Sequence, residues 1–105
     1  MIVSHLEPPY YAVIFTTLLS DKLSEYIETA ERMEELAKEQ EGYLGIESAR
    51  NDVGITVSYW KDVDAILRWK NNVEHTEARN KGRYQWYKQY QLRICKVERE
   101  YGFEK

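Results

Sequence analysis

One cysteine, two prolines and two histidines in 105 residues leave little room for several classes of chemistry. Cys95 has no second thiol to pair with, so there is no disulfide framework, and a lone thiol fits a reducing compartment. No Cys-x-x-Cys or His-x-Glu spacing points to a metal, no Gly-rich loop to a phosphate, and no Gly-x-Ser-x-Gly turn to a nucleophile. No apolar run approaches membrane-spanning length. The opening "MIVSHLEPPYY" lacks a basic region followed by an apolar stretch, so it does not read as a signal peptide. Lys and Arg are scattered among Asp and Glu, with a net charge of −3 and no basic stripe, which argues against nucleic acid. These absences together predict a cytoplasmic protein with neither membrane nor nucleic acid as partner.

What is present is enough for one core. Hydrophobic residues make up 43% of the chain and charged residues 31%, and much of the apolar area comes from nine Tyr and three Trp. Such rings carry a large apolar body and a polar tip, which suits a partner chain or an aromatic ligand, and equally a wet sheet face.

The pattern divides the chain into a short N-terminal extension, 1–9, and one domain, 10–103. "YYAVIFTTL" (10–18) is rich in β-branched and aromatic residues and predicts a strand. Ser20 or Asp21 is placed to cap a helix whose apolar stripe is Leu23, Tyr26, Ile27, Ala30, Met33 and Ala37, ending at Gly42. "YLGIESAR" (43–50), the turn "NDVG" (51–54) and "ITVSYW" (55–60) predict a hairpin. Asp62 then caps a second helix with Val63, Ile66, Leu67 and Val73 as its stripe. The polar run 74–82 extends it by a turn or two to Gly82. The last strand lies within 84–100, centred on Leu92, Ile94 and Val97.

The order β-α-β-β-α-β is the ferredoxin-like arrangement, an α+β fold with both helices on one face of a four-stranded antiparallel sheet. Alternation puts Val13 and Phe15 on one side of the first strand and Ala12 and Ile14 on the other, so neither face is consistently polar. The face without helices therefore needs a cover, and a homodimer is the simplest source of one.

The order of elements, the strand ending "ITVSYW", the acidic cap Asp62 and the following "AILRW…H" resemble the antibiotic biosynthesis monooxygenase (ABM) family. The resemblance runs from Tyr10 to about Phe103. It implies a dimeric α/β barrel in which two ferredoxin-like sheets pack face to face, with a cavity between sheet and helices in each subunit. Characterised members resemble one another in fold more than in chemistry. Some oxidise anthrone- or quinol-like compounds with molecular oxygen and no cofactor; others bind and degrade haem. The Trp60–Trp69 spacing is similar to that of the haem-degrading branch. That branch also carries a ligand His ten residues after the second Trp, where this chain has Arg79, and an Asn in the first strand, where "AVIFTT" has none.

The resemblance therefore implies cofactor-independent oxygenation of a small aromatic or enolic substrate. Such chemistry needs a base or a cation to ionise the substrate in a dry pocket, and aromatic walls to hold it. Trp69, His75, Arg79, Tyr84, Trp86 and Tyr87 supply those types within one stretch. His75 or Arg79 is the candidate base or anion stabiliser, and Trp69, Tyr84, Trp86 and Tyr87 are the candidate walls. Against this, "RWKNNVEH" (68–75) is also a helix end where a Trp seals the helix to the sheet and a His faces water. Trp60 reads as core or interface, and Cys95 as a packed thiol. Two other functions stay open: a non-catalytic binding protein for haem or another hydrophobic metabolite, and a structural dimer.

Overall fold

The computed structural model describes residues 2–74 and 85–105. The elements follow the expected order: β1 (Tyr10–Leu19), α1 (Tyr26–Lys38), β2 (Tyr43–Arg50), β3 (Gly54–Trp60), α2 (Val63–Glu74) and β4 (Tyr87–Val97). The four strands form one antiparallel sheet in the order β2-β3-β1-β4, the ferredoxin-like topology.

Residues directly opposite in an antiparallel sheet share a face, so the register sorts every strand position into one of two surfaces. Val13 pairs with Ser58 and Ile94, Phe15 with Thr56 and Leu92, and Thr17 with Gly54 and Tyr90. This surface is the helix side, because Val13 and Trp60 form one buried cluster with Ala37 of α1 and with Ala65 and Ile66 of α2. Ala12, Ile14, Tyr59 and Cys95 occupy the other side, as alternation predicts.

The second helix starts where expected: Asp62 Oδ1 accepts a hydrogen bond from the Ala65 amide at 2.8 Å. Gly42 makes its approach possible. Its φ is +92°, and a methyl group there would stand 2.6 Å from the Ala65 Cβ. The stripe of α2 differs from the sequence reading. Ala65 and Ile66 are buried and Trp69 packs on the core, whereas Val63 and Leu67 are 39% and 47% exposed. The small Ala65 lets the helix lie close enough for Trp69 to reach Trp60, and this turns Val63 and Leu67 outward. The Val73 side chain and the polar run through Gly82 lie outside the described residues.

The first helix begins later than the Ser20–Asp21 cap predicts. Ser20 is instead tied to the entry of β4: its hydroxyl donates to the Gln85 carbonyl, and its amide donates to the Trp86 carbonyl at 2.7 Å. The helix opens only after Glu25, in left-handed backbone, and carries no side-chain cap. It turns Tyr26 toward Trp86 and Tyr87, leaving Ile27 66% exposed.

The extension is held to the helix-free side. The Val3 amide donates to Glu47 at 3.0 Å and the Leu6 amide to Glu100 at 3.1 Å. The same carboxylates accept the Tyr59 and Tyr10 hydroxyls, and the two rings meet edge to face at 5.8 Å.

Candidate active site

The helix-side face has a closed end and an open end. At the closed end Trp60 is fully buried; Tyr43 meets it edge to face at 5.7 Å and Trp69 stacks on it at 6.1 Å, 20° from parallel. The Trp60 indole nitrogen donates to Ser58 Oγ at 2.8 Å, so the core contains no unpaired polar atom there. Trp60 is core, as its position at a strand end predicts. One face of Trp69 is occupied by Trp60.

At the open end the sheet presents Phe15, Tyr90, Leu92 and Ile94 on the same side, and the last three keep 37%, 49% and 48% of their surface. Tyr87 and Tyr90 both pack on Phe15 at 5.5 Å, and Tyr26 closes the far edge against Tyr87 and Trp86. Trp86 is only 3% exposed and donates from its indole nitrogen to the Ser24 carbonyl at 2.9 Å. It backs the wall instead of lining it. Burial, aided by Tyr26, pushes the Tyr87 hydroxyl up to about 12, with the Arg50 charge pulling the other way. Tyr87 is therefore a neutral hydrogen-bond donor at physiological pH.

Arg50 enters this end from the last position of β2. Its guanidinium donates to Thr17 Oγ1, two strands away, lying over Gly54 on the way. Among the described residues no carboxylate pairs with it.

Of the residues the sequence singles out, Trp86 and Tyr87 come together on one wall and Trp69 stands apart, against the core. His75, Arg79 and Tyr84 lie outside the described residues. The sequence reading missed Arg50, Thr17, Phe15, Tyr26 and Tyr90. The available signal was the pair Arg50 and Gly54 facing each other across the "NDVG" turn: a long cation opposite a position with no side chain.

Two surface hollows lie elsewhere. An open groove of about 530 Å³ runs along α1 beside Glu25, Glu28, Thr29 and Arg32, and a hollow of about 210 Å³ lies at the sheet end beside Thr16, Leu18, Val53 and Gln91. Neither is walled by the aromatic cluster. Among the described residues no helix is long and apolar enough to cross a membrane.

A ferredoxin-like sheet with both helices on one side is a fold that solved structures share. The chain resembles SnoaB, a cofactor-independent oxygenase from Streptomyces nogalater, with a TM-score of 0.73 at 11% identity over 88% of this chain and 96% of that one. It resembles a conserved protein from Methanosarcina mazei Go1 with a TM-score of 0.71, at 13% identity over 83% and 91% of the two chains. At these identities the likeness is one of fold. Residues 9–81 match the family model for antibiotic biosynthesis monooxygenase, and the chain belongs to that family. A sequence relative, the uncharacterized protein YqjZ of Bacillus subtilis (strain 168), is 51% identical over 100 residues, covering 93% of this chain and 88% of that protein.

Proposed function

We propose that the protein is a cofactor-independent monooxygenase acting on a small, flat aromatic or enolic substrate held at the open end of the helix-side face. The observation that carries this reading is the half-exposed strip Phe15–Tyr90–Leu92–Ile94, walled by tyrosines and reached by a cation. Large apolar side chains left uncovered beside a few polar groups are what a flat ligand needs. Membership of the monooxygenase family and the fold shared with SnoaB support the reaction class.

In this reading a base takes the acidic proton of the substrate, and His75 or Arg79 is the candidate for that step or for holding the anion. The enolate or phenolate gives one electron to molecular oxygen. The resulting carbon radical and superoxide combine to a peroxide, which loses water. A methylene becomes a carbonyl, one oxygen atom staying in the product and the other leaving as water. Tyr87, neutral in this environment, donates a hydrogen bond to the developing oxyanion, and Tyr84 is the further candidate for the wall.

The working unit in this reading is a cytoplasmic homodimer of domain 10–103. The helix-free face supports it: Ile14, Leu18, Val57 and Cys95 are half-buried there and Ile55 is 44% exposed, so a second sheet would remove this surface from water.

The test is a thermal-shift screen against anthrones, quinols, flavins and haemin, followed by oxygen-electrode assays on any hit. Stabilisation by an anthrone or quinol with oxygen uptake supports the reading. A response to haemin alone favours a haem-binding protein, and silence across the panel favours a structural dimer.

A further inference from the structure

We propose that Arg50 is the anion-holding group of this site, set in place by Thr17 and Gly54, and that the ligand is a fused-ring aromatic whose acidic hydroxyl meets Arg50. This rests on the open end being the substrate site, as argued above.

Three observations carry it. The first is the path of the side chain. Register places Arg50 opposite Gly54, Gly54 opposite Thr17, and Thr17 opposite Tyr90, in one row across all four strands. Neighbouring strands stand about 4.8 Å apart, so a side chain from β2 reaches β1 only by lying flat over β3. A methyl group at position 54 would overlap the guanidinium, and the absence of one leaves that path clear. The second is the state of the charge. Thr17 Oγ1 takes one N–H, and no carboxylate among the described residues takes the rest. A guanidinium has five donors, so most remain for a ligand. The third is what lies beside it. Tyr90, which packs on Phe15 and Tyr87, stands next to Thr17 at the end of the same row, so the cation borders the aromatic wall.

The dimensions select a ligand class. Tyr90, Leu92 and Ile94 share the face at every second position, so the strip runs about 13 Å along β4 from the Arg50 row. A two- or three-ring aromatic lies along that length with one edge at the guanidinium. A phenol or enol oxygen at that edge ionises more readily, because an adjacent cation favours the anion.

Alizarin, a hydroxyanthraquinone whose phenolate absorbs to the red of its neutral form, reports this directly. Its titration would be followed in the presence of the unaltered protein, Arg50→Gln and Gly54→Ala, with unsubstituted anthraquinone as a neutral control. Circular dichroism would confirm that each variant is folded. Bound to the unaltered protein, the dye should ionise about one pH unit lower than when bound to Arg50→Gln, roughly a tenfold preference for the anion. Gly54→Ala, which keeps the arginine but displaces its head, should lose most of that shift, and anthraquinone should bind all three proteins equally. A purely structural arginine would not move the dye's midpoint. An equal midpoint in the unaltered protein and Arg50→Gln overturns the assignment while leaving the aromatic site standing. Binding of neither dye to the unaltered protein overturns both.

Discussion

At one end of the helix-side face, Trp60 has lost all its exposed surface to Tyr43, Trp69 and two helices; at the other, Tyr90, Leu92 and Ile94 sit on the same sheet and stay half in water. Both ends are built mainly of large aromatic and aliphatic side chains, so residue type does not separate them. What separates them is the helices. Ala37 and Ala65 let α1 and α2 close over Trp60, while at β4 Tyr26 of α1 packs on the first residue, Tyr87, and Tyr90, Leu92 and Ile94 stay about half exposed. At the closed end Ser58 satisfies the buried indole nitrogen of Trp60, whereas at the open end no carboxylate among the described residues pairs with the Arg50 cation. Aromatic surface thus supplies stability where it is covered, and in the proposed reading it supplies recognition where it is left open beside Arg50.

That contrast can be broken at either end. The largest effect should come from Trp60→Ala, which removes a fully buried ring and should cost about 3–5 kcal/mol of stability in chemical denaturation. Trp69→Ala comes next, at roughly 2 kcal/mol, since the ring is only partly buried. If it also leaves aromatic-ligand affinity unchanged, Trp69 belongs wholly to the closed end; if affinity falls, the two ends share it. Arg50→Gln should reverse the balance. Isothermal titration should show alizarin phenolate binding about tenfold more weakly, while stability stays within about 0.5 kcal/mol.

A smaller effect tests the helix-free side. Hydrogen bonds from Tyr59 and from the Val3 amide hold the Glu47 carboxyl below its ordinary range, against the opposing effect of burial. A depressed carboxyl stabilises the fold above its unfolded value and loses that contribution as pH falls through the folded one. Glu47→Gln should therefore cost about 1 kcal/mol or less near neutrality, discounted for partial exposure. The gap between variant and unaltered protein should close below about pH 4.5. Urea melts at neutral and acid pH would measure it.

Much of the fold was legible because its signals are local. Alternation in β1 and the cap at Asp62 each depend on a few neighbouring residues and appear where expected, and the turn read at 51–54 is one residue shorter, with Gly54 already in β3. The start of α1 was not legible, since Ser20 chooses between capping a helix and bonding Gln85, which is 65 residues away. The stripe of α2 holds at Ile66 but not at Val63 and Leu67, for a related reason. Hydrophobicity ranked Val63 and Leu67 above Ala65, but helix approach is decided by the smallest side chain at the crossing. At the open end, the density of aromatics in sequence pointed to Tyr87, which stands on the wall, and to Trp86, which is buried behind it. Arg50 was passed over because at the end of a hairpin strand it reads as an ordinary solvated charge, and its reach over Gly54 to Thr17 emerges from register across three strands.

The clamp made by the extension has a further consequence for topology. Leu6 and Glu100 are 94 positions apart in sequence yet joined by one hydrogen bond, and Tyr10 reaches the same carboxylate. The first and last strands are therefore neighbours whose outer ends meet, so the fold is close to a closed ring. A circular permutant, with a short linker after Glu100 and new termini cut at the exposed 51–53 turn, would keep every strand pair of the sheet. It would also free Arg50 from the constraint of a hairpin while leaving its neighbours in place.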